Sequence, residues 1–289
     1  MTLPRPAMWE LFDPSAGVFE LRGIKKGLPT KTKLISWQHY PEDIDLAVMH
    51  DDFERTAMGW DAAGYNVYAV FNEIDEDFRG TSAKDIDIDA RRYILIDIDR
   101  AAKADCPASD EEIQHAVDLS SLIKKCMSSY GWLEPLVVMS GNGVHLYYYL
   151  NYLPNTPELT EKIRELLQLL GDTFGNEYVK VDRSVYNASR ITKVIGTTAK
   201  KGIEQLGRPY RKVEIISLPG KHGSRTPCFN TLFEDTLDAL RAGMHSRPRP
   251  HVKNVKNFMC TKLDDTPNNR ALVARLLYMI SPHFARWDS

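Results

Sequence analysis

No run of 18 or more apolar residues occurs in the 289-residue chain, so no helix of it is expected to span a bilayer. Met1-Thr2-Leu3-Pro4-Arg5-Pro6 leads into no apolar segment, so a signal peptide is not expected. Cysteine is scarce: Cys106, Cys126, Cys228 and Cys260 stand far apart with no C-x-x-C. That excludes a zinc ribbon or finger and offers no disulfide framework. Excess charge of one sign is also lacking. The 37 Lys and Arg against 39 Asp and Glu leave a formal charge of −2, which excludes a globally polybasic binder. There is no internal repeat and no low-complexity tract. With 43% hydrophobic and 26% charged residues an ordinary core can form, and the length suits one large domain or two unequal ones. These absences point to a cytoplasmic, reduced globular protein with no membrane partner, and say nothing more of function.

The even total conceals an uneven distribution. Residues 40–90 hold fourteen acids and three bases, a balance of −11. Residues 183–212 hold eight bases and one acid, Glu204, a balance of +7, and residues 247–262 add five bases and no acid. Such stretches are either solvated surface or a footprint for a polyanion.

The N-terminal third reads as mixed α/β. Gly17 to Arg22 alternates apolar and polar residues, Asn66 to Phe71 follows a turn signal at Gly64, and Tyr93 to Asp99 is an apolar, β-branched run of the kind found in buried central strands. Ser109 with Glu112 forms a capping box before a helix to Ser129. Leu136 to Met139, the turn Ser140-Gly141-Asn142-Gly143, and Val144 to Leu150 read as a hairpin. Thr156 and Pro157 start a second helix, which Gly171 is expected to stop. Val213 to Ile216 is a further strand, Pro219 to Ser224 a linker, Leu232 to Arg241 a short helix, Arg247 to Pro250 an extended basic segment, and Pro267 to Ile280 a last helix.

Three constellations can carry chemistry. On a strand, Asp97 and Asp99 point to one face about 6.5–7 Å apart, while Ile94, Ile96 and Ile98 face the other way. Either the strand ends at Ile96 and both acids are solvated, or two carboxylates share a buried edge, where a divalent cation with oxygen ligands relieves their repulsion. Ser140-Gly141-Asn142-Gly143-Val144-His145 is either an ordinary hairpin or a turn whose backbone approaches a ligand's phosphates, with His145 beside it on a face shared with Tyr147 and Tyr149. Val181-Asp182 opens a segment through Arg190, Lys193, Lys200 and Lys201, which is either a solvated loop or an acid next to a triphosphate clamp.

In order, these residues resemble the archaeo-eukaryotic primase superfamily: Ile94 to Asp99 its hydrophobic-D-x-D motif, Ser140 to His145 its S-x-G-x-H type, and Val181-Asp182 its hydrophobic-D motif. The closer resemblance is to primase–polymerases of phages, plasmids and other mobile elements. There the third motif continues as Ser184-Val185-Tyr186-Asn187-Ala188-Ser189-Arg190-Ile191-Thr192-Lys193, then Gly196-Thr197 and Lys201-Gly202. Gly64 to Tyr68, with Asn72, is similar to that group's N-terminal part. The resemblance covers about residues 15–217. It implies an α+β (mixed α/β) two-layer catalytic core over residues 1–217 with an RRM-like antiparallel sheet, and a linker and small helical accessory domain over 218–289. Asp97, Asp99 and Asp182 would then hold two divalent ions, Mg²⁺ or Mn²⁺. Ser140, Gly141, Gly143, His145, Asn187, Arg190 and Lys193 would bind the nucleotide. Lys200, Lys201, Arg208 and Arg211 would contact DNA or phosphate, and the acidic 40–90 region is expected to lie away from the groove. Two departures are Ile195, where family members often have Pro, and the absence of any sign of a zinc-binding insertion; no zinc is expected.

The resemblance implies two-metal nucleotidyl transfer in a bacterial or archaeal host cell, as primer synthesis or DNA-templated extension during replication of a mobile element. The partners would be a single-stranded or primed DNA template, dNTP or NTP, and a helicase domain or protein. Alternatives are a non-catalytic replication-initiation or single-strand-binding protein on the same fold, a metal-dependent nuclease, and a D-x-D glycosyltransferase. Leu276 to Trp287 is similar to the beginning of a helical module that follows such cores. With the stop at Trp287-Asp288-Ser289, this leads to the expectation of a fragment of a longer primase–helicase polypeptide.

Overall fold

The computed structural model describes residues 6–13, 15–41, 44–102, 105–219 and 228–245. The expected basic segment at 247–250, the basic stretch 247–262, the last helix at 267–280 and most of the linker at 219–224 lie outside the described residues.

Strands β1 (Val18–Ile24) and β2 (Lys31–Ser36) form a hairpin, and helix α1 (Leu46–Ala62) leads to β3 (Asn66–Val70). Helix α1 was not among the sequence expectations, although its signals are local. Asp45 caps it through a hydrogen bond from Ala47 N–H at 2.9 Å, and Met49, Phe53 and Ala57 recur at four-residue spacing on its buried side. Short β4 (Glu73–Ile74) precedes the long β5 (Ile88–Arg100). Helix α2 (Asp110–Ser129) opens on the expected capping box: Ser109 Oγ accepts from Glu112 N–H at 3.2 Å, and Glu112 Oε2 accepts from Ser109 N–H at 2.9 Å. The hairpin β6 (Leu136–Met139) and β7 (Gly143–Pro154) turns where Asn-Gly predicts, with Ser140 N–H bonded to the Gly143 carbonyl at 2.9 Å.

Helix α3 (Pro157–Phe174) begins at Pro157, capped by Thr156, but runs through Gly171 instead of stopping there. Its end comes at Gly175, whose N–H returns to the Gly171 carbonyl at 3.1 Å. The missing side chain at Gly171 serves packing: a Cβ there would lie 2.5 Å from Arg183 Nε, and Arg183 pairs with Asp172 of the same turn at 2.5 Å. The chain then forms β8 (Val179–Val181), β9 (Ile191–Lys193), β10 (Thr198–Ala199), β11 (Arg211–Lys212), β12 (Glu214–Ser217) and helix α4 (Phe229–His245).

The strands make an α+β arrangement of antiparallel sheets. One has the order β2-β1-β3-β9 and is covered by α1; a second runs β12-β6-β7-β5-β4, with β8 also paired to β5; β10 and β11 form a small ribbon. Ile94, Ile96 and Ile98 on one face of β5, with Leu146 and Tyr148 of β7, join Ile123, Met127, Leu166 and Leu167 of α2 and α3 in the main core. Burying one such side chain contributes roughly 1.5–3 kcal/mol. Helix α4 adds Phe233, Leu237 and Leu240 to the same core, and Trp132 Nε1–H donates to Thr236 Oγ1 at 2.9 Å. The opposite face of β5 and β7 meets the first sheet, where Tyr147 packs edge-on against Phe71 at 5.9 Å. No helix among the described residues is long and apolar enough to cross a membrane.

Candidate active site

Because β5 is extended through Arg100, Asp97 and Asp99 share a face with Leu95 and open into a cleft of about 440 Å³ between the two sheets. Pairing with β7 sets His145 opposite Asp97 and Gly143 opposite Asp99. Pairing with β8 brings Asp182 to the same place, its N–H donating to the Asp97 carbonyl at 2.8 Å. Ser140, His145, Arg190, Lys193, Lys200 and Lys201 also line the cleft. Strand register thus gathers eight of the expected side chains from segments far apart in sequence.

The electrostatics follow from burial and crowding. Burial resists ionisation of Asp97, but the nearby charges of His145, Arg190 and Lys201 outweigh it and hold the carboxyl below its ordinary value. Asp99 goes the other way: burial and the charge of Asp97, with Asp182 adding, push it up to about 6 against Lys201 and His145. Burial, helped by Lys200 and Lys201, brings Lys193 down to about 8, with Asp99 and Asp61 opposing. Tyr68 is pushed up to about 12 by burial and by the two carboxylates.

The buried Asp97 Oδ1 lies 3.4 Å from His145 Nε2 without hydrogen-bond geometry and has no hydrogen-bond partner. An orphaned carboxylate oxygen beside a second, buried carboxyl crowded by like charge fits a hard divalent cation with oxygen ligands. Asp97 and Asp99 are the residues that would hold it. Asp182 borders this pair, near enough for its charge to help raise Asp99. Its Oδ1 accepts from Ser184 N–H at 2.8 Å and from Ser184 Oγ at 2.7 Å, its Oδ2 lies 3.9 Å from Arg190, and its side chain is not in the cleft wall. Among the described residues no group of three or more His, Cys, Asp or Glu is arranged to hold a metal ion.

Four other expected residues also lie outside the cleft wall, along with Gly141. Asn187 faces Asp85 at 3.4 Å. Arg208 grips Glu112 in a fork at 2.7 and 3.0 Å, and Arg211 binds Asp110 and the Ala108 carbonyl, each at 2.6 Å. Both arginines therefore pin their segment to the start of α2 through Glu112, Asp110 and the carbonyl just before the helix. Gly141 and Gly143 are buried against protein: a Cβ at Gly143 would sit 2.1 Å from the Ile98 carbonyl oxygen, and one at Gly141 would sit 2.2 Å from Ala199 Cβ. The glycines do allow a close backbone approach, but what they approach is β5 and β10 of the protein itself.

The structure gives contacts to residues for which the motifs implied no role. His145 Nδ1 lies 2.9 Å from Tyr147 Oη, which lies 2.5 Å from Thr192 Oγ1, and Thr192 Oγ1 is 3.3 Å from the same nitrogen. This buried trio fixes the ring so that Nε2 faces Asp97. Asn66 Oδ1 accepts from Lys193 Nζ and from Lys200 N–H, both at 2.8 Å, and Lys193 Nζ stands 4.7 Å from the centre of the Tyr68 ring. Lys200 is paired with Asp61. The acidic 40–90 region is therefore not remote from the groove: Asn66 and Tyr68 line it, and Asp61 holds one of its lysines. The reason is that β3 lies next to β9 in the first sheet.

No family's sequence profile matches the chain, and no curated protein matches it. Among solved structures it is similar to the AEP domain of the primase-polymerase of cyanophage S-2L, at 14% identity and a TM-score of 0.44, over 75% of this chain and 88% of that one. It is also similar to the polymerase domain of Ligase D from Mycobacterium tuberculosis, solved in complex with DNA, at 14% identity and a TM-score of 0.42, over 81% and 84% of the two chains.

Proposed function

We propose that the cleft is the nucleotidyl-transfer centre of a DNA primase–polymerase that uses Mg²⁺ or Mn²⁺ in the replication of a mobile element. The observation that carries this reading is the Asp97–Asp99 pair on one strand face, opposite Arg190, Lys193, Lys200 and Lys201 in the same cleft. A carboxylate pair for cations faced by a cationic wall for phosphates is what transfer from a triphosphate to a hydroxyl requires. The motif order around Asp97, His145 and Asp182 supports the same reading. When bound, such ions supply Lewis acidity, lowering the pKa of an attacking 3′-hydroxyl and offsetting charge on departing pyrophosphate.

The rest falls to the chain. Arg190 offers a planar fork and the lysines point charges for the triphosphate. His145, steadied by Tyr147 and Thr192, presents Nε2 beside Asp97 for a hydrogen bond to a phosphate or sugar oxygen. Asn66 holds Lys193 and the backbone of Lys200 in place, so the cationic wall is preorganised. Asp182 acts on this site through backbone and field, with its N–H on the Asp97 carbonyl and its charge raising Asp99.

Primer extension and dinucleotide synthesis on single-stranded and primed DNA, with separate dNTP and NTP pools and with Mg²⁺ or Mn²⁺, test the proposal. Incorporation is expected from the wild type, and Asp97→Asn or Asp99→Asn should lower it by at least about 100-fold. No product from the wild type with either metal would sink the reading.

A further inference from the structure

Two loops stand at the mouth of the cleft. The β1–β2 turn places Ile24 and Lys26 in its wall, and the segment after β10 contributes Lys201 and Gly202. They meet at Asp105: Lys26 Nζ pairs with its carboxylate at 2.7 Å, and Gly202 lies so close to its carbonyl that a Cβ would stand 2.1 Å away. Both loops carry apolar side chains outward. Ile24 and Leu28 are exposed on the first, and on the second Ile203 is 76% and Leu206 104% exposed.

The second loop is held firmly. Leu206 and Gly207 form the tip of a tight turn closed by Arg208 N–H on the Gln205 carbonyl at 2.9 Å, with Gly207 at φ +74°. Tyr210 Oη–H donates across its base to the Gly202 carbonyl at 2.6 Å, and Arg208 and Arg211 bolt it to α2. Single exposed apolar residues need no explanation, but several on two anchored loops around one basic mouth do. The acids nearby are spoken for: Asp105 by Lys26, and Glu204 by Tyr210 N–H at 2.6 Å.

Building on the proposed function, we infer that this rim is a single-strand nucleic-acid platform. Ile203 and Leu206 lie against nucleobase faces, while Lys26 and Lys201 meet the phosphates. Unpaired bases expose apolar faces that a duplex hides, and a flexible strand brings its phosphates to lysines beside them. The charge is complementary and the rim continues the wall of the cleft, so the strand led across it arrives at Asp97 and Asp99. Arg208 and Arg211 hold the platform and do not touch the strand.

Fluorescence anisotropy of a labelled oligothymidylate over a salt series tests this, with thermal melting as the folding check and primer extension run in parallel. Wild-type protein should bind. Ile203→Ser/Leu206→Ser should weaken binding about fivefold or more with an unchanged salt slope. Lys26→Ala should reduce that slope by about 0.7, the value for one phosphate of a single strand that is no longer neutralised. Wild-type affinity and slope in both variants would overturn the inference, as would failure of the wild type to bind. Strand binding without extension would sink the catalytic reading and leave the platform. Extension with unaltered binding by both rim variants would do the reverse.

Discussion

Replacing Glu112 by Gln isolates the joint that fastens the rim loop to the second sheet's helices. Glu112 accepts both arms of Arg208, a hydrogen bond from Arg100 at 3.0 Å, and the N–H of Ser109. Burial alone would raise its pKa, yet Arg208, the Ser109 N–H and Arg100 overcome it and bring the carboxyl down to about 2 from 4.5. At 1.36 kcal/mol per pH unit that interval corresponds to roughly 3 kcal/mol favouring the carboxylate in the folded chain. The side chain is 24% exposed, so solvent screening reduces the expectation to about 2 kcal/mol. Glutamine keeps the size and one acceptor but leaves the buried Arg100 without its countercharge. Because the folded pKa is depressed, the stabilisation is complete above pH 4.5 and is lost as the pH falls through about 2. Urea unfolding at pH 7 should therefore show the variant about 2 kcal/mol less stable, with an unchanged m value, and the gap should narrow markedly at pH 3. A gap below about 0.5 kcal/mol at pH 7, or one of equal size at both pH values, refutes the reasoning.

Three further outcomes are expected. Gly143→Ala forces a methyl against the Ile98 carbonyl beside Asp99 and should cost about 1–3 kcal/mol, read as a lower melting temperature; an unchanged melt would show that β5 and β7 yield freely there. Tyr147→Phe removes the 2.9 Å partner of His145 Nδ1 and should alter the imidazole ¹⁵N shifts that report its tautomer while lowering incorporation about tenfold; identical shifts would remove Tyr147 from the positioning of that ring. With Lys193 held near 8, its charge is present below that pH and lost above it, so affinity for a nucleoside triphosphate should fall about tenfold between pH 7 and 9. Lys193→Arg should flatten that profile, and a flat wild-type profile would contradict the role given to Lys193.

Much of the fold and part of the site could be read locally. The apolar, β-branched run of β5, the Ser109–Glu112 box and the Asn-Gly turn are each encoded within a few residues, and each forms as expected. Helix α1 is equally local, with Asp45, Met49, Phe53 and Ala57 in helical spacing, but its acidic neighbours obscure that pattern. Gly171 misleads because a helix stop and a close packing contact look alike until the partner, Arg183, is placed. The fates of Arg208 and Arg211 were out of reach for a different reason: their partners lie 96 and 101 residues upstream, and nothing in a run of basic residues tells a phosphate contact from a structural clamp. Likewise nothing near Asp61 announces Lys200, 139 residues away. Asp97 and Asp99 were legible because one strand carries both; the separate bearing of Asp182 depends on the Ser184 turn that follows it.

The ion pairs at the mouth have a consequence for selectivity. Lys200 already has Asp61 and Lys26 already has Asp105, so a ligand that recruits either lysine must outcompete a carboxylate of the protein itself. A singly charged anion offers no more than the carboxylate it would displace. A polyphosphate or a strand of phosphates offers several charges at once, and the exchange at Lys26 hands back Asp105, whose side chain is open to water. At these two lysines the ion pairs therefore favour ligands of high charge density over singly charged anions.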